Sequence, residues 1–224
     1  MKIEMHAHTF YSPDAIVSPE EHVKTIKKRG LDATAVTDHD TAGGWKRAIA
    51  AGRKEGIAVI RAEEIHVHHD GRKIGEVLAY FINEEIKPGE FLEVRDAVKQ
   101  QGGIVVAAHP FDTFRNSFRM LEEYKKHMDG IEAFNARVLL NSFNTKARHF
   151  AQANGFGITG GSDSHCKYEI AHAHTEADIT DINELPKAIK NRKTRALGHK
   201  TNPFIHTLSS LTKIGLLRPE AAYL

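Results

Sequence analysis

The chain has 224 residues, 41% of them hydrophobic and 27% charged, a composition that suits one globular domain and at most two. A formal net charge of +2 with interspersed signs and no basic block gives no case for an extended nucleic-acid or membrane interface as the main role, while a short or phosphorylated anionic substrate stays compatible. Cys166 is the only cysteine, which excludes an intrachain disulfide; with no signal-type apolar stretch over Met1–Thr9 and no membrane-length apolar run, a cytoplasmic location without a membrane partner is expected.

Short apolar runs alternate with amphipathic stretches of helix length, the pattern of repeated β-α units around a mainly parallel sheet. Ser18-Pro19-Glu20-Glu21 joins an N-cap serine, a proline at the first helical position and a glutamate three residues after the cap, so a helix is expected from there to Arg29. A strand follows at 33–37, then a helix at 44–55 stopped by Gly56 and a strand from Ala58 to about Ile65. Asp70-Gly71 marks a hairpin turn and 75–81 the return strand. The remaining expected elements are a helix over 88–100, a strand at 104–108, strands at 131–134 and 156–159 around a helix over 140–154, and a helix near 181–190 opened by Asp181. These make about seven strands in one domain over 1–195. The β-α rhythm is lost from about Ala196, which suggests a C-terminal tail, 196–224, packed on the outside.

Nine side chains able to bind metal recur at the ends of these apolar runs: His6, His8, Asp14, His39, Glu64, Glu76, His109, Asp163 and His165. In a parallel barrel the carboxyl ends of the strands converge on one face, so residues in that phase meet. His6 and His8 lie two apart on the first strand and face the same side. Imidazole and carboxylate without thiolate suit Zn, Mn or Fe. Asp14 also fits a turn after Pro13, and Glu76 also fits an exposed strand position. Among the 15 histidines, His22 and His127 read as surface residues; His66, His68 and His69 flank the hairpin turn and read as exposed or as partners of ligands. Asp38 reads as an acceptor orienting an imidazole. Gly160-Gly161 lacks the lysine and spacing of a phosphate loop and reads as a tight turn that aims Asp163 inward. Trp45 and the spaced leucines and valines of the helices read as core.

His6-Ala7-His8-Thr9, Thr37-Asp38-His39-Asp40, Glu64-Ile65, Ala108-His109-Pro110 and Gly161-Ser162-Asp163-Ser164-His165 together resemble, in order and spacing, the blocks of the PHP family, the polymerase and histidinol phosphatase superfamily. The resemblance covers about three quarters of the chain. It implies an α/β fold, a distorted seven-stranded TIM-like barrel, with two to three divalent ions (Mn, Zn or Fe). By position, His6, His8, Glu64 and Asp163 would hold the first ion, Asp14, His39 and His165 the second, and Glu64, Glu76 and His109 the third. Carboxylates at Glu76 and Asp14, where relatives often carry histidine, favour manganese or iron over zinc.

The expected activity is a metal-dependent phosphoesterase in which ions held ~3.5–4 Å apart share a hydroxide as nucleophile. Its substrate would be small: a nucleotide, such as a 3′,5′-bisphosphate, or the 5′ end of a short RNA, with histidinol phosphate as the alternative. Aromatics at only 8% argue against a channel for long single strands, so no stable nucleic-acid complex is expected. Arg137, just past the strand at 131–134, is the leading phosphate-binding cation, with Asn135 beside it as a substrate contact and Arg115 and Lys146 behind it. A non-catalytic accessory module, and C–N hydrolysis in the amidohydrolase manner, are the competing classes.

Overall fold

A computed structural model of the chain describes residues 1–216. Of the expected tail, 217–224 lie outside the described residues. In chain order the elements are β1 (Lys2–Glu4), α1 (Pro19–Lys28), β2 (Ala33–Val36), α2 (Trp45–Glu55), β3 (Ala58–His69), β4 (Arg72–Tyr80), β5 (Gly89–Glu90), α3 (Phe91–Gln100), β6 (Ile104–Ala107), α4 (Leu121–Tyr124) and β7 (Gly130–Asn135). They continue with α5 (Asn141–Asn154), β8 (Gly157–Gly161), β9 (Ala173–Ala177), α6 (Leu185–Lys190), β10 (Thr194–Gly198) and α7 (His206–Lys213).

The strands form one sheet in the order β10-β9-β1-β2-β3-β4-β6-β7-β8, with β5 added to β3. Its two ends meet. Beyond the ladder, Ala7 bridges Ser164 in parallel, with His8 N donating to the Ser164 carbonyl at 2.9 Å and Asp163 N to the His6 carbonyl at 2.7 Å. These bonds close the upper rim between the first strand and β8. Lower down, the hydroxyls of Thr175 on β9 and Thr194 on β10 donate to the carbonyls of Gly160 and Ile158 on β8. The result is a nearly closed, TIM-like α/β barrel.

The count of about seven is corrected to ten strands among the described residues. The seven around the rim, β1 to β4 and β6 to β8, are those expected from sequence; β9 and β10 were not, because Ala173–Ala177 and Thr194–Gly198 alternate small and polar residues instead of presenting an apolar run. β3 also runs on to His69, so Glu64 lies mid-strand rather than near its end. The helix expected over 88–100 starts only at Phe91, since Gly89 and Glu90 pair with β3.

Helix limits follow local chemistry. The Ser18 hydroxyl accepts from Glu21 N at 3.1 Å with Pro19 in the first turn, and Gly56 and Gly155 end α2 and α5 in the left-handed region. Alternate residues of the strands, among them Ile3, Met5, Ile60, Ala62, Leu78, Tyr80, Ile104 and Val106, fill the barrel with Leu185 and Ile189 of α6. A second cluster, including Val23, Ile26, Trp45, Val67, Val77 and Val98, joins the outer face to the helices.

Gly160 and Gly161 belong to β8 and not to a turn. They are needed for approach: a Cβ on Gly161 would lie 2.4 Å from the Cβ and 2.6 Å from the backbone nitrogen of His6. His127 is half-buried between the rings of Phe91 and Tyr124. His22 is no surface residue either. It is fully buried, its Nε2 2.7 Å from the Thr34 hydroxyl, and burial together with the charge of His8 pushes its pKa down from 6.5 to about 4.

The unfolded chain takes up that proton near pH 6.5 and the folded chain only near pH 4, so the unfolded state binds more protons in between and stability falls as pH falls through this window. Guanidinium unfolding of metal-stripped protein at pH 7 and pH 4.5 is expected to show a pH-linked loss about 2–3 kcal/mol smaller in His22→Gln than in wild type. Equal losses in both proteins would remove His22 from the account.

Candidate metal centre

The upper rim gathers all nine predicted ligands. After β1 the chain continues extended, tied to β2 by the Thr37 hydroxyl, which accepts from Ala7 N at 2.9 Å and donates to the Ala7 carbonyl at 3.0 Å. This aims His6 and His8 at one point, their Nε2 atoms 3.2 Å apart. Glu64 Oε2 lies 3.3 Å from each of these nitrogens, and Asp163 Oδ1 3.4 Å from His8 and 3.7 Å from His6. Glu64 is central to the whole array, since its Oε2 is also 3.2 Å from His39 Nδ1 and its Oε1 3.1 Å from His109 Nε2.

Glu76 Oε2 faces His109 Nε2 at 3.6 Å, and Asp14 Oδ1 faces His165 Nε2 at 3.4 Å and His39 Nε2 at 3.8 Å. Glu76 is buried, against the exposed-strand alternative. Three groups of donor atoms are tight enough for one ion each: His6, His8 and Glu64; Glu64, Glu76 and His109; and His8, His39 and His165. His8 therefore stands in two groups, where the family resemblance gave it to one. Two ligands about 2.0–2.2 Å from a common ion in a tetrahedral shell sit about 3.2–3.6 Å apart, close to the spacings found here.

Electrostatics point the same way. Burial opposes charge on His6, but the carboxylates of Glu64, Asp163 and Glu132 outweigh it and hold the imidazole well above its usual range. For His8, burial is overcome by hydrogen bonds with Asp163 and Glu64, and the value is pushed up to about 10. Burial is likewise outweighed at Glu64 and Asp163, both held well below the usual carboxylate range by His6 and neighbouring cations. At the outer edge burial, Arg137 and His8 push His165 down to about 3. The centre of the cluster is thus a well of negative potential and its edge offers neutral imidazole, the form that binds metal. Asp14 Oδ1 and His39 Nδ1 are buried without a hydrogen-bond partner, a costly state that a coordinated cation would relieve. The residues fit divalent ions.

A layer of partners fixes the rings. Asp38 accepts from Thr9 N, the Thr9 hydroxyl and the Ser12 hydroxyl, and Ser12 Oγ in turn lies 3.2 Å from His8 Nδ1, so Asp38 orients an imidazole through one intermediate. Sequence reasoning missed Glu132. Its carboxylate, 1% exposed, holds His6 Nδ1 at 2.9 Å and accepts from His109 N at 2.8 Å. The available signal was an acid inside an apolar strand, where burial on both faces leaves little room for charge. His66, half-buried, joins Asp40 (2.5 Å) to Glu76 (2.8 Å), while His69 meets the Tyr124 hydroxyl away from the cluster. Asp40, His109 and Asp163, three of the seven non-glycine residues with positive φ among the described residues, have φ of 53°, 26° and 54° on segments that carry the cluster.

Seven of the nine candidate ligands, all but the buried His6 and His8, floor a cavity of about 580 Å³ that is also lined by Phe114, Arg115, Arg119, Arg137 and Lys213. Two expectations for substrate contacts change. Asn135 is fully buried, its amide nitrogen donating to Glu132 and Asp163 and its oxygen accepting from Arg115 and Arg137 N, so it positions ligands and has no atom free for substrate. Arg137 borders the cavity, but its Nη1 donates to Glu169 at 2.7 Å and its Nη2 to Ser209, a buried ion pair in place of a free fork. Arg115 instead reaches the cluster, donating to Asp163 Oδ2, Asp112 and Asn135. Lys146 is exposed and lies on a different hollow, beside Phe111 and Phe150.

Residues 4–194 match the PHP domain. The chain belongs to the PHP domain family. An uncharacterized protein of Methanocaldococcus jannaschii is 31% identical over 147 residues, 61% of this chain and 82% of its own length. The PolC-type DNA polymerase III of Oceanobacillus iheyensis is 32% identical over 144 residues, 58% of this chain but 10% of the polymerase. A 5′-3′ exoribonuclease of Haemophilus influenzae is 30% identical over 105 residues, 47% of this chain and 38% of its own.

Among solved structures, a two-domain protein from Bacteroides vulgatus, described as containing a predicted PHP-like metal-dependent phosphoesterase, superposes with a TM-score of 0.73 at 21% identity, covering 89% of this chain and 65% of that one. A lesion-specific endonuclease from Pyrococcus furiosus superposes with a TM-score of 0.60 at 16% identity, covering 90% and 59%. At these identities the likeness is one of fold. No helix among the described residues is long and apolar enough to cross a membrane.

Proposed function

We propose that the protein is a metal-dependent phosphoesterase acting on a small phosphorylated substrate, a nucleotide such as a 3′,5′-bisphosphate or the 5′ end of a short RNA. The observation that carries this reading is the convergence of Asp14, His39, Glu64, Glu76, His109, Asp163 and His165 on one cavity with cations on its wall, with His6 and His8 buried directly behind them against Glu64 and Asp163. Similarity to a 5′-3′ exoribonuclease and to a DNA polymerase supports a nucleotide over histidinol phosphate. Two or three ions of Mn, Zn or Fe held there would supply Lewis-acid polarisation of a phosphoryl oxygen and a nucleophile at neutral pH.

The chain's own residues supply the rest. Glu132 and Asp38 keep the imidazoles in one orientation. Arg115, with 27% of its side chain exposed, stands where a guanidinium can hold Asp163 and a phosphoryl oxygen together. Arg137 braces Glu169, whose other carboxylate oxygen accepts from the backbone nitrogen of His165 at 2.8 Å.

A panel of phosphomonoesters, nucleoside bisphosphates, 5′-phosphorylated oligoribonucleotides and phosphodiesters, each with manganese, zinc and iron, tests the activity. Metal-loaded protein that hydrolyses none of them would be an accessory module. With the best substrate, Arg115→Ala is expected to lower kcat/KM about 10- to 100-fold, the worth of one charge-assisted hydrogen bond, whereas Arg137→Ala acts first on Tm by stranding buried Glu169. A drop in kcat/KM confined to Arg137→Ala, with Tm unchanged, returns the phosphate contact to Arg137.

A further inference from the structure

One apolar side chain in the cavity wall has no role in the chemistry above. Phe114 is 63% exposed, in a loop whose other two phenylalanines, Phe111 and Phe118, are half-buried and buried. Leaving a phenyl ring in water forgoes about 1.5–3 kcal/mol of burial. A single exposed apolar residue is ordinary on a surface. This one is neither isolated nor loose. Phe114 lines the same cavity as His109, Asp163 and His165, and the side chain of the next residue, Arg115, is anchored on Asp163. Its backbone nitrogen donates to Asp112 Oδ1 at 3.1 Å, and its ring meets Phe143 of α5 edge-on, centroids 5.7 Å apart at 66°. Phe143 is buried, so the contact fixes the Phe114 ring from one side while most of its surface stays open.

We infer that Phe114 is a specificity-determining residue, a stacking platform for the base of a nucleotide whose phosphate lies over the ligand cluster. The inference rests on the phosphoesterase reading and deepens it. A flat, exposed π face suits a planar heterocycle and gives little to a hydrated sugar or an alkyl chain. The flanking charges agree: Arg119 and Lys213, which also line the cavity, pair with no acid among the described residues, leaving the wall beside the ring positive where a nucleotide would bring its anionic groups. Sequence-tolerant stacking would make the site selective for nucleotides as a class rather than for one base.

The test compares adenosine 5′-monophosphate with ribose 5-phosphate, which carry the same phosphate on the same carbon and differ in the base. Phe114→Ala is expected to lower the ratio of their kcat/KM values about 5- to 100-fold, the range of base–aromatic stacking, and Phe114→Tyr to restore it. An unchanged ratio in Phe114→Ala, with wild-type Tm and metal content, overturns the inference and leaves the phosphoesterase reading standing. A second readout needs no turnover. The chain has a single tryptophan, Trp45, buried in the outer core, so Phe114→Trp adds an exposed reporter. Saturable quenching of that reporter by adenosine 5′-monophosphate but not by ribose 5-phosphate is expected in EDTA. If wild type hydrolyses neither compound, the substrate panel decides the phosphoesterase reading and the quenching alone decides the platform: equal or absent quenching by both overturns it.

Discussion

Glu64→Gln is expected to remove at least one metal ion per chain and to lower hydrolysis of the best substrate by at least about 100-fold, since loss of mere partners of metal ligands already costs about 10–100-fold. One carboxylate here faces four imidazoles, at 3.1 Å to His109, 3.2 Å to His39 and 3.3 Å to His6 and His8. Glutamine keeps the volume, so the barrel stays filled. It removes the negative charge and turns an N–H₂ toward nitrogens that need an acceptor or a cation. Every tight donor group except His8, His39 and His165 includes Glu64, so the variant should keep at most the ion held by those three. Elemental analysis and calorimetric titration with manganese check this. Wild-type stoichiometry and affinity in Glu64→Gln would mean that the convergence at Glu64 is a network of hydrogen bonds and not a metal centre.

How much of this was legible beforehand depended on what each residue's neighbours in sequence reveal. The seven rim strands and the main helices carry apolar periodicity and caps within a few residues, so their existence was readable. β9 and β10 were not, because Thr175 and Thr194 point their hydroxyls at β8 carbonyls and so leave no apolar run. That the nine candidate ligands gather on one rim was readable because most of them follow apolar runs in one phase, although Glu64 lies mid-strand. The fate of Arg137 was not readable, because its partners Glu169 and Ser209 lie 32 and 72 residues away in sequence and meet it only through the loop after β8 and through α7. Glu132 was hidden for the same reason, as was the anchoring that lifts Arg115 above its place behind Arg137: their contacts on His6 and Asp163 span 126 and 48 residues. His22 looked like a surface residue because it stands amid the charges of α1; only the packing of that helix on β2 buries it.

The role of Gly161 also reverses between sequence and structure, and it yields the second large effect. A glycine pair before Ser162-Asp163 reads locally as a turn, yet Gly161 lies in a strand whose backbone passes so close to His6 that no Cβ fits. In Gly161→Ala the new atom would lie 2.4 Å from His6 Cβ, 2.6 Å from its nitrogen and 3.0 Å from its Cα. The last two are backbone, so no rotamer change relieves the clash. The extended segment after β1 must move away from β8, against the bonds of His8 N to Ser164 and Asp163 N to His6 that close the barrel. Overpacking of this kind costs typically about 1–3 kcal/mol, and here it also separates His6 and His8 from Asp163. Gly161→Ala should therefore lower Tm in EDTA and weaken manganese binding together. Glu64→Gln, which leaves the backbone alone, should weaken manganese binding with a much smaller change in EDTA. Should Gly161→Ala match wild type in both measurements, β1 and β8 are not in the close contact that brings the two ends of the ligand set together, and the barrel's upper rim must be drawn differently.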